Sequence, residues 1–301
     1  MQPYQQTLHT ETGILTATPP FDFFKSLDFL SMFYPMHGEQ EVTATSLTKA
    51  ILIDGRCIAF RVQAADNGQE SQIRYTLFAE EPPDDKTRQA VLERISFFLS
   101  LNDDLKPFYA IAQQDANFAS IINRLYGLHH IKFLTLCEIA CWSVLTQHRA
   151  IAVARKMKDA LVEHYGGKIT VEGRVYRAFP ELERLARVSP EEFEALVKNQ
   201  RCAQYLSEVT KTLDVIGEDF LRKAPYDEAE QALLKIKGIG SWSAAFILLR
   251  GLGRMERLLF SAKPMRDAIV RVYGPEFQQE VLAHTYGPYI GYWSFYLRTN
   301  D

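Results

Sequence analysis

The stretch of sequence that decides the fold is LLKIKGIGSWSAA, residues 233–245. Apolar residues repeat with a helical period up to Ile236, glycines follow at positions 238 and 240, and a second helical pattern begins at Ser241. Glycine adopts backbone conformations that other residues avoid, so Gly238 and Gly240 allow a sharp reversal between two helices. The reversal leaves the first N–H groups of the second helix without partners, which suits the binding of a phosphate. The stretch therefore predicts two helices joined by a glycine turn that binds an anion.

Positive charge is concentrated around this turn. The whole chain carries a net charge of −3, from 34 basic and 37 acidic side chains, which by itself argues weakly against a nucleic-acid partner. Residues 233–274, however, contain eight basic and two acidic side chains, so this segment carries +6 and the rest of the chain −9. Lys235 and Lys237 lie directly beside the glycines. The asymmetry indicates a local anion-binding surface, and a solvated basic helix face is the alternative interpretation.

Length and composition place the chain among ordinary globular proteins. Its 301 residues predict two domains, or one large domain with an appendage, and 47% of them are apolar. The longest apolar runs, such as residues 244–249, are far shorter than the ~20 residues that a membrane helix needs. The first thirty residues lack a basic start followed by an apolar block, so no secretory signal is predicted. We therefore expect a cytoplasmic protein.

The cysteines predict neither a disulfide framework nor a metal centre. There are four of them, at positions 57, 137, 141 and 202, which is too few and too scattered for a disulfide-stabilised fold. Cys137 and Cys141 lie one helical turn apart in an apolar stretch, without a histidine or carboxylate at zinc-like spacing. No four-cysteine cluster near the C-terminus could hold iron and sulfur. We expect Cys137 and Cys141 to pack in the core.

The N-terminal third alternates between apolar and polar residues in the manner of antiparallel strands. Three segments have this period of two and are rich in β-branched and aromatic residues: 43–53, 56–64 and 71–78. Asp54-Gly55 and Asn67-Gly68 stand between them, where hairpin turns belong. A helical pattern over residues 21–33 precedes them. This part of the chain predicts a small antiparallel sheet with helices.

After Pro82-Pro83 the pattern becomes helical almost without a break to the end of the chain. The segments with a 3.6-residue apolar repeat are 84–101, 133–146, 149–165, 190–197, 202–221, 227–236, 241–252, 264–273 and 288–297. Ser189 and Glu192 form a capping-box start around Pro190. The fold class predicted is α+β: a small N-terminal antiparallel β-sheet domain with helices, residues 1–105, followed by an all-α domain, residues 106–301, with the glycine turn inside 227–252.

The helix, the G-I-G turn and the second helix with its small residues resemble the helix-hairpin-helix of DNA repair glycosylases. Residues 127–165 resemble the central helices of that superfamily, with Gln147-His148-Arg149 at its glutamine-containing turn. Residues 178–180 and 201–206 resemble two further segments. Residues 19–22, Pro-Pro-Phe-Asp, resemble the N-terminal domain of the alkylated-base branch, the bacterial 3-methyladenine DNA glycosylase II type. The chain is identified as a member of this superfamily, which implies a helical domain of two lobes with the base pocket between them.

The resemblance also implies the reaction. Relatives that nick the DNA strand carry a nucleophilic lysine two residues after the second hairpin glycine, where this chain has Trp242. The implied enzyme is a monofunctional glycosylase that flips an alkylated purine out of duplex DNA and hydrolyses its N-glycosidic bond, the first step of base excision repair. It requires no cofactor, although relatives bind a monovalent cation at the hairpin. A monomer in the bacterial cytoplasm, associated with the nucleoid, is implied as well.

The resemblance places the DNA contacts on two short segments. The hairpin residues implied to grip the backbone are Lys235, Lys237, Gly238, Ile239, Gly240 and Ser241. The residue that fills the gap left by the flipped base falls on His148, with Gln147 and Arg149 beside it. A histidine that merely starts a helix is the alternative for His148.

The base pocket implied by the resemblance is aromatic. Its residues fall on Phe29, Trp242 and Phe246, and aromatic faces attract a positively charged alkylated base by stacking and cation–π interaction. Trp242 and Phe246 are four residues apart on one helix, so they share a face. Without the resemblance, such a pair is more often part of a core.

The catalytic carboxylate is absent from its expected position. The superfamily places an aspartate in a pattern like D-V-F-P-x-D-D, which stabilises the oxocarbenium-like sugar of the transition state. Glu256 matches the first acidic position of that pattern, and the catalytic position is Ala262. Either the aspartate was replaced, or Glu256 or Asp267 substitutes for it, or the protein binds damaged DNA without excising a base. The functional alternatives are therefore a non-catalytic damage-binding protein and, as a third interpretation, a glycosylase for deaminated or oxidised bases.

Overall fold

The computed structural model describes residues 8–36, 38–65, 71–258, 260 and 263–299. Five strands form an antiparallel sheet in the order β1-β5-β4-β3-β2. Two further strands, β6 and β7, form a hairpin. The strands are β1 His9–Thr16, β2 Gln40–Val42, β3 Ser46–Ile53, β4 Arg56–Ala64, β5 Gln72–Ala79, β6 Gly167–Val171 and β7 Arg174–Ala178.

Helices make up most of the remaining chain. They are α1 Phe23–Met32, α2 Asp85–Phe98, α3 Lys106–Ala112, α4 Ala119–Leu125, α5 Leu136–Leu145, α6 Ile151–Tyr165, α7 Leu182–Leu185, α8 Pro190–Val197, α9 Gln200–Ile216, α10 Glu218–Lys223, α11 Tyr226–Leu234, α12 Ser241–Phe246, α13 Lys263–Tyr273, α14 Gln279–Tyr286 and α15 Ile290–Thr299. A π-helical turn, Ile247–Gly251, continues α12. None of the described helices is both long and apolar enough to cross a membrane.

The predicted α+β class is confirmed, and so are the three strands predicted from their period of two, which correspond to β3, β4 and β5. The predicted capping box at Ser189 is also present, because the Ser189 hydroxyl accepts from the Glu192 N–H and the Glu192 carboxylate accepts from the Ser189 N–H. Cys137 and Cys141 are buried and reduced, as expected of core residues.

The expectation of an all-α domain over residues 106–301 is wrong at residues 167–178, which lie between the predicted helices 149–165 and 190–197. This segment is the β6–β7 hairpin, whose inward residues Ile169, Val171 and Tyr176 pack on the outer face of the five-stranded sheet. The alternation of buried and exposed residues is only five residues long in each strand, which is too short to stand out in a helix-rich region. The helix predicted over 202–221 is likewise two helices, because Gly217 adopts a φ of +78° between α9 and α10.

Two apolar clusters hold the helices in place. The larger one joins the inner face of the sheet and α1 to the central helices α5, α6, α8 and α9 and to both helices of the glycine turn. The second consists of α3, α4, α13, α14 and α15 and is dominated by aromatic side chains. Phe29 of α1 packs against both clusters, so it lies where they meet.

Candidate active site

The glycine turn between α11 and α12 has the geometry that the sequence predicts. Gly238 adopts a φ of +101°, a conformation that only glycine takes without strain. A Cβ atom at this position would lie 2.6 Å from Cγ of Tyr205, so the turn also packs too closely on α9 for any side chain. Ile236 and Ile239 are buried beneath the turn, whereas Lys235 and Lys237 are exposed. The apolar residues anchor the turn and the lysines face solvent.

Residues 147–149, which are predicted to fill the gap left by the flipped base and are called the wedge segment below, lie against this turn. Nε2 of Gln147 donates to the carbonyl oxygen of Gly238 at 2.7 Å. His148, the next residue, is exposed and has a φ of +52°. Arg149 holds the segment from the other side, because its Nη1 donates to the Gln147 carbonyl at 3.1 Å and its Nη2 to Asn199 at 2.9 Å. The structure therefore brings the 147–149 segment and the glycine turn together on one surface.

The three predicted pocket residues belong to one row of aromatic rings. Trp242 is 49% exposed at the start of α12 and stacks on Phe246, with ring centroids 4.9 Å apart and planes tilted by 11°. The row continues through two rings that the sequence reasoning missed: Phe246 to Phe133 at 5.9 Å, Phe133 to Phe33 at 5.6 Å, and Phe33 to Phe29 at 5.4 Å. The predicted residues are thus connected, but Phe33 and Phe133 separate Phe29 from the Trp242 pair.

Arg250 lies at the Phe29 end of the row. Its guanidinium carbon is 5.3 Å from the ring centroid of Phe29, 5.0 Å from that of Phe33 and 5.4 Å from that of Phe295. Burial, and secondarily the charge of Arg298, lowers the pKa of Arg250 to about 9, so the group is still charged at neutral pH. Three rings around one cation form an aromatic cage. Sequence reasoning missed Arg250, although its spacing of four residues from Phe246 and eight from Trp242 was a signal.

The π-helical turn explains why Arg250 reaches this cage. In an α-helix, a four-residue step overshoots one full turn, so positions 242, 246 and 250 would drift around the helix axis. A π turn contains more residues, so a four-residue step falls short of a full turn and reverses that drift. The change from α to π geometry after Phe246 therefore returns Arg250 toward the face that carries Trp242.

His130 is the polar partner of Arg250. Nη1 of Arg250 donates to Nε2 of His130 at 3.1 Å, which places the histidine proton on Nδ1. Burial and the neighbouring charges of Arg250 and Lys132 hold the pKa of His130 well below its usual value, so the ring is neutral. Nη2 of Arg250 and Nδ1 of His130 are both buried and have no hydrogen-bond partner among the described residues. Unpaired buried donors are rare, because each costs the free energy of its lost hydration.

The carboxylate predicted as a substitute is engaged in an ion pair. Oε1 of Glu256 accepts from Nε of Arg254 at 2.8 Å, while Nη1 of the same arginine donates to the carbonyls of Leu221 and Ala224. Glu256 is nevertheless exposed. Asp267 is exposed in the first half of α13. Ala262, which occupies the expected catalytic position, lies outside the described residues.

The arrangement combines an exposed basic turn, the adjacent segment 147–149 and an aromatic row that leads from the surface to the half-buried Arg250. Such a site can hold a phosphate backbone at its rim and a planar ring stacked on the exposed side of Trp242. Among the described residues, no group of histidine, cysteine or acidic side chains could hold a metal ion.

Sequence comparison adds a relative of nearly equal length. The chain is 29% identical over 288 residues to a DNA-3-methyladenine glycosylase of Bacillus subtilis, a match that covers 89% of this chain and 94% of the relative. No protein-family model matches the chain.

Structural comparison shows that the whole fold is shared with solved glycosylases. A 3-methyladenine DNA-glycosylase from Archaeoglobus fulgidus superposes with a TM-score of 0.79 at 21% identity, covering 96% of this chain and 98% of that one. The 8-oxoguanine glycosylase/lyase of Clostridium acetobutylicum, solved with double-stranded DNA containing cytosine opposite 8-oxoG, superposes with a TM-score of 0.70 at 14% identity, covering 98% and 97%.

Proposed function

We propose that this chain, a member of the helix-hairpin-helix DNA glycosylase superfamily of the alkylated-base type, hydrolyses the N-glycosidic bond of alkylated purines in duplex DNA. The product is an abasic site, and the step opens base excision repair. The observation that carries the proposal is the half-exposed Trp242–Phe246 stack, which begins directly after the hairpin and leads into the row of rings.

In this proposal the glycine turn between α11 and α12 binds the phosphate backbone of the DNA. Lys235 and Lys237 supply charge, and the first N–H groups of α12, starting at Ser241, have no acceptor within their own helix. Backbone contacts of this kind fix the position of the DNA but do not select its sequence. The hydrogen bond from Gln147 to Gly238 joins the glycine turn to residues 147–149, so the phosphate contacts and His148 are held at a fixed distance from each other.

A monovalent cation at the hairpin fits this arrangement. Backbone carbonyl oxygens are suitable ligands for a hard cation. The carbonyl of Gly238 is occupied by Gln147, whereas those of Lys237 and Ile239 receive no backbone hydrogen bond from the described residues. These two oxygens would hold the cation, whose charge would draw a phosphate to the turn.

Base flipping needs a side chain to take the place of the extruded nucleotide, since unstacking costs a few kcal/mol. His148 is exposed and follows Gln147, which contacts the glycine turn, so it is available for this role. The flipped base then stacks on Trp242, whose outer face is accessible to solvent.

Hydrolysis rather than strand cleavage follows from the residue at position 242. A lyase reaction needs an amine that forms a Schiff base with the sugar, and an indole cannot do so. Water therefore attacks C1′ as the base departs with the electron pair of the broken bond. Glu256 remains the proposed in-chain carboxylate for stabilising the sugar cation.

A second candidate function is the recognition of damaged DNA without excision. It is favoured by the Ala262 position and by the ion pair that already engages Glu256 with Arg254. It predicts tight binding to methylated and abasic duplexes without release of a base.

Base release from methylated duplex DNA by the purified protein tests the proposal. We expect release without strand breaks until alkali is added, and a loss of roughly tenfold or more in the Trp242→Ala variant, because base stacking contributes ~1–3 kcal/mol. Phe220→Ala is the matched control, since Phe220 is an exposed aromatic residue outside the row. Absence of release by wild type, with duplex binding retained, would establish the binding protein instead.

A separate comparison of wild type and Glu256→Gln tests the carboxylate. If Glu256 stabilises the sugar, release falls by roughly tenfold or more, in line with the loss of one preorganised electrostatic group. Unchanged release in this variant would remove Glu256 from the mechanism.

A further inference from the structure

The start of α6 presents a run of exposed apolar side chains. Ala150, Ile151, Ala152 and Val153 are all exposed, and Ile151 and Val153 are 44% and 46% exposed. No other run of four consecutive exposed residues in the described part of the chain is entirely apolar. Single apolar residues on a surface are ordinary, but a contiguous exposed run indicates contact with a partner. Residues 150–153 are called the apolar turn from here on.

The rest of α6 shows how a solvated face of the same helix is composed. The exposed residues of α6 after Val153 are all polar: Lys156, Asp159, Glu163 and His164. A helix that starts in water usually has serine, threonine, aspartate or asparagine at its N-cap. The N-cap of α6 is Ala150, which supplies no side-chain hydrogen bond. The apolar turn therefore has the composition of a buried contact, although it lies on the surface.

The apolar turn continues the wedge segment without a break. Ile151 and Val153 follow His148 by three and five residues, and both belong to the first turn of α6. Gln147 fixes the wedge segment to the glycine turn by its hydrogen bond to the Gly238 carbonyl. A duplex that lies on the glycine turn and receives His148 therefore lies next to the apolar turn as well.

Charge indicates the kind of partner. Positions 139–158 contain no acidic residue, and Arg149, Arg155 and Lys156 flank the apolar turn along the chain. Duplex DNA is a polyanion whose minor groove is walled by the apolar faces of deoxyribose. Proteins that enter this groove use basic residues together with apolar side chains that contact sugars and base steps. An apolar turn bordered by basic residues fits such a groove.

We propose that the apolar turn is a further DNA-contact surface, on which Ile151 and Val153 pack against the minor groove of the duplex beside the flipped nucleotide. The inference deepens the proposed function and rests on it for the placement of the DNA, but not for the release of a base. Aliphatic side chains have no hydrogen-bond donor or acceptor, so this contact reads no base pair. It adds affinity that does not depend on salt to the salt-dependent affinity that comes from the lysines.

The test measures affinity for a methylated duplex across a salt series, in wild type and in the double variant Ile151→Ser/Val153→Ser. We expect the affinity to fall by roughly tenfold at every salt concentration, because two half-exposed aliphatic side chains no longer leave water on binding. The slope of log affinity against log salt concentration should equal that of wild type, since no charge is removed. Affinity for the single strand of the same sequence should not change, because a single strand has no minor groove.

Two controls separate this contact from folding and from a general loss of apolar surface. Val175→Ser is the matched control, since Val175 is 45% exposed but lies on β7. Its affinity for the duplex should equal that of wild type. Ile151→Val/Val153→Ile keeps the apolar surface and should also bind as wild type does. Serine has about the helix propensity of valine and isoleucine, so the serine variant does not weaken α6 itself.

Three results would overturn the inference: wild-type affinity for the duplex in Ile151→Ser/Val153→Ser, a changed salt slope, or an equal loss of affinity for the single strand. A wild-type dimer that the double variant converts to a monomer, with duplex affinity retained, would overturn it too, since the apolar turn would then join two copies of this chain. Absence of duplex binding by wild type would do the same.

Failure of the proposed function gives a different result. A wild-type protein that binds the duplex but releases no base is not a glycosylase, and the affinities of the double variant and of Val175→Ser still decide the role of the apolar turn. A loss of affinity in the double variant alone supports the inference in that case as well.

Discussion

The resemblance to the glycosylase superfamily places the catalytic aspartate at position 262, where this chain has alanine. An aspartate there would place a negative charge near the oxocarbenium-like sugar, and one preorganised electrostatic group is worth about 10²–10³ in rate. Alanine offers none. In the proposed reaction the chemistry then depends on Trp242, which would stack on the flipped base, and on Glu256, which is ion-paired with Arg254.

Restoring the carboxylate should therefore raise activity. We expect Ala262→Asp to release methylated bases at least tenfold faster than wild type, with the gain in the rate of the single-turnover step and not in duplex affinity. Ala262→Asn is the control, because asparagine has nearly the same size as aspartate but carries no charge. Equal rates for the two variants would show that charge at this position does not assist the reaction.

At the level of the element, the hairpin depends on one of its two glycines more than on the other. Gly238 has a φ of +101° and lies 2.6 Å, measured from its ideal Cβ position, from the Tyr205 ring. Gly240 has a φ of −97° and nothing within 4 Å of its Cβ position. We expect Gly238→Ala to lower the free energy of unfolding by about 1–3 kcal/mol, as strained backbone and overpacking do, and Gly240→Ala to change it by less than about 0.5 kcal/mol.

Chemical denaturation of the two variants checks this difference. A similar loss in both would mean that the turn tolerates a side chain at position 238 by moving away from α9. The comparison also separates stability from DNA contact, because Gly240→Ala can weaken DNA binding while leaving the fold intact.

The second element-level feature is a buried ion network that joins α5, α6 and the segment before β2. Nζ of Lys158 lies 2.7 Å from Glu138 and 2.7 Å from Glu39, and the lysine side chain is 1% exposed. Removing the cation leaves buried Glu138 without its partner and Glu39 with Lys49 alone, so Lys158→Met should lower the free energy of unfolding by about 3–5 kcal/mol. Lys223→Met is the control, because its pair with Asp219 is exposed and should contribute less than about 0.5 kcal/mol.

The same network gives the fold an acid dependence. Burial alone would raise the pKa of Glu39, but Lys158 and Lys49 outweigh it, so the pKa lies below its ordinary value of 4.5. Ionised Glu39 therefore stabilises the folded chain above that pH, and the contribution is lost as the pH falls through the lowered pKa. In Glu39→Gln the decline of stability below about pH 4.5 should be shallower than in wild type; parallel curves from thermal melts would contradict this assignment.

The sequence predicts those features of the structure that depend on residues close together along the chain. The glycine turn, the capping box at Ser189 and the three long strands each have a local signature, and each is confirmed. The cage could not be predicted in this way, because Phe29, Phe295 and Arg250 come from distant helices and meet only when the two apolar clusters pack. The orphan donors of Arg250 and His130 are a property of that packing alone.

On the scale of the whole molecule, charge is distributed unevenly. The segment 233–274, which contains the glycine turn, carries +6 and the remainder −9, so this segment is the part of the chain that most attracts a polyanion. The net charge of −3 thus does not oppose DNA binding.

Reversing one charge in that segment tests this distribution. Lys237 is exposed at the hairpin, and a lysine that contacts a phosphate releases counterions from the DNA. We expect Lys237→Glu to weaken duplex binding equally for unrelated sequences and to reduce the slope of log affinity against log salt concentration by about 1. Lys86→Glu is the matched control, since Lys86 is also an exposed lysine but lies on α2, where it pairs with Asp54. Both substitutions change the whole-chain charge by the same amount, so the two variants differ only in the position of the change. If they bind DNA alike across the salt series, the phosphate-binding surface lies elsewhere on the chain.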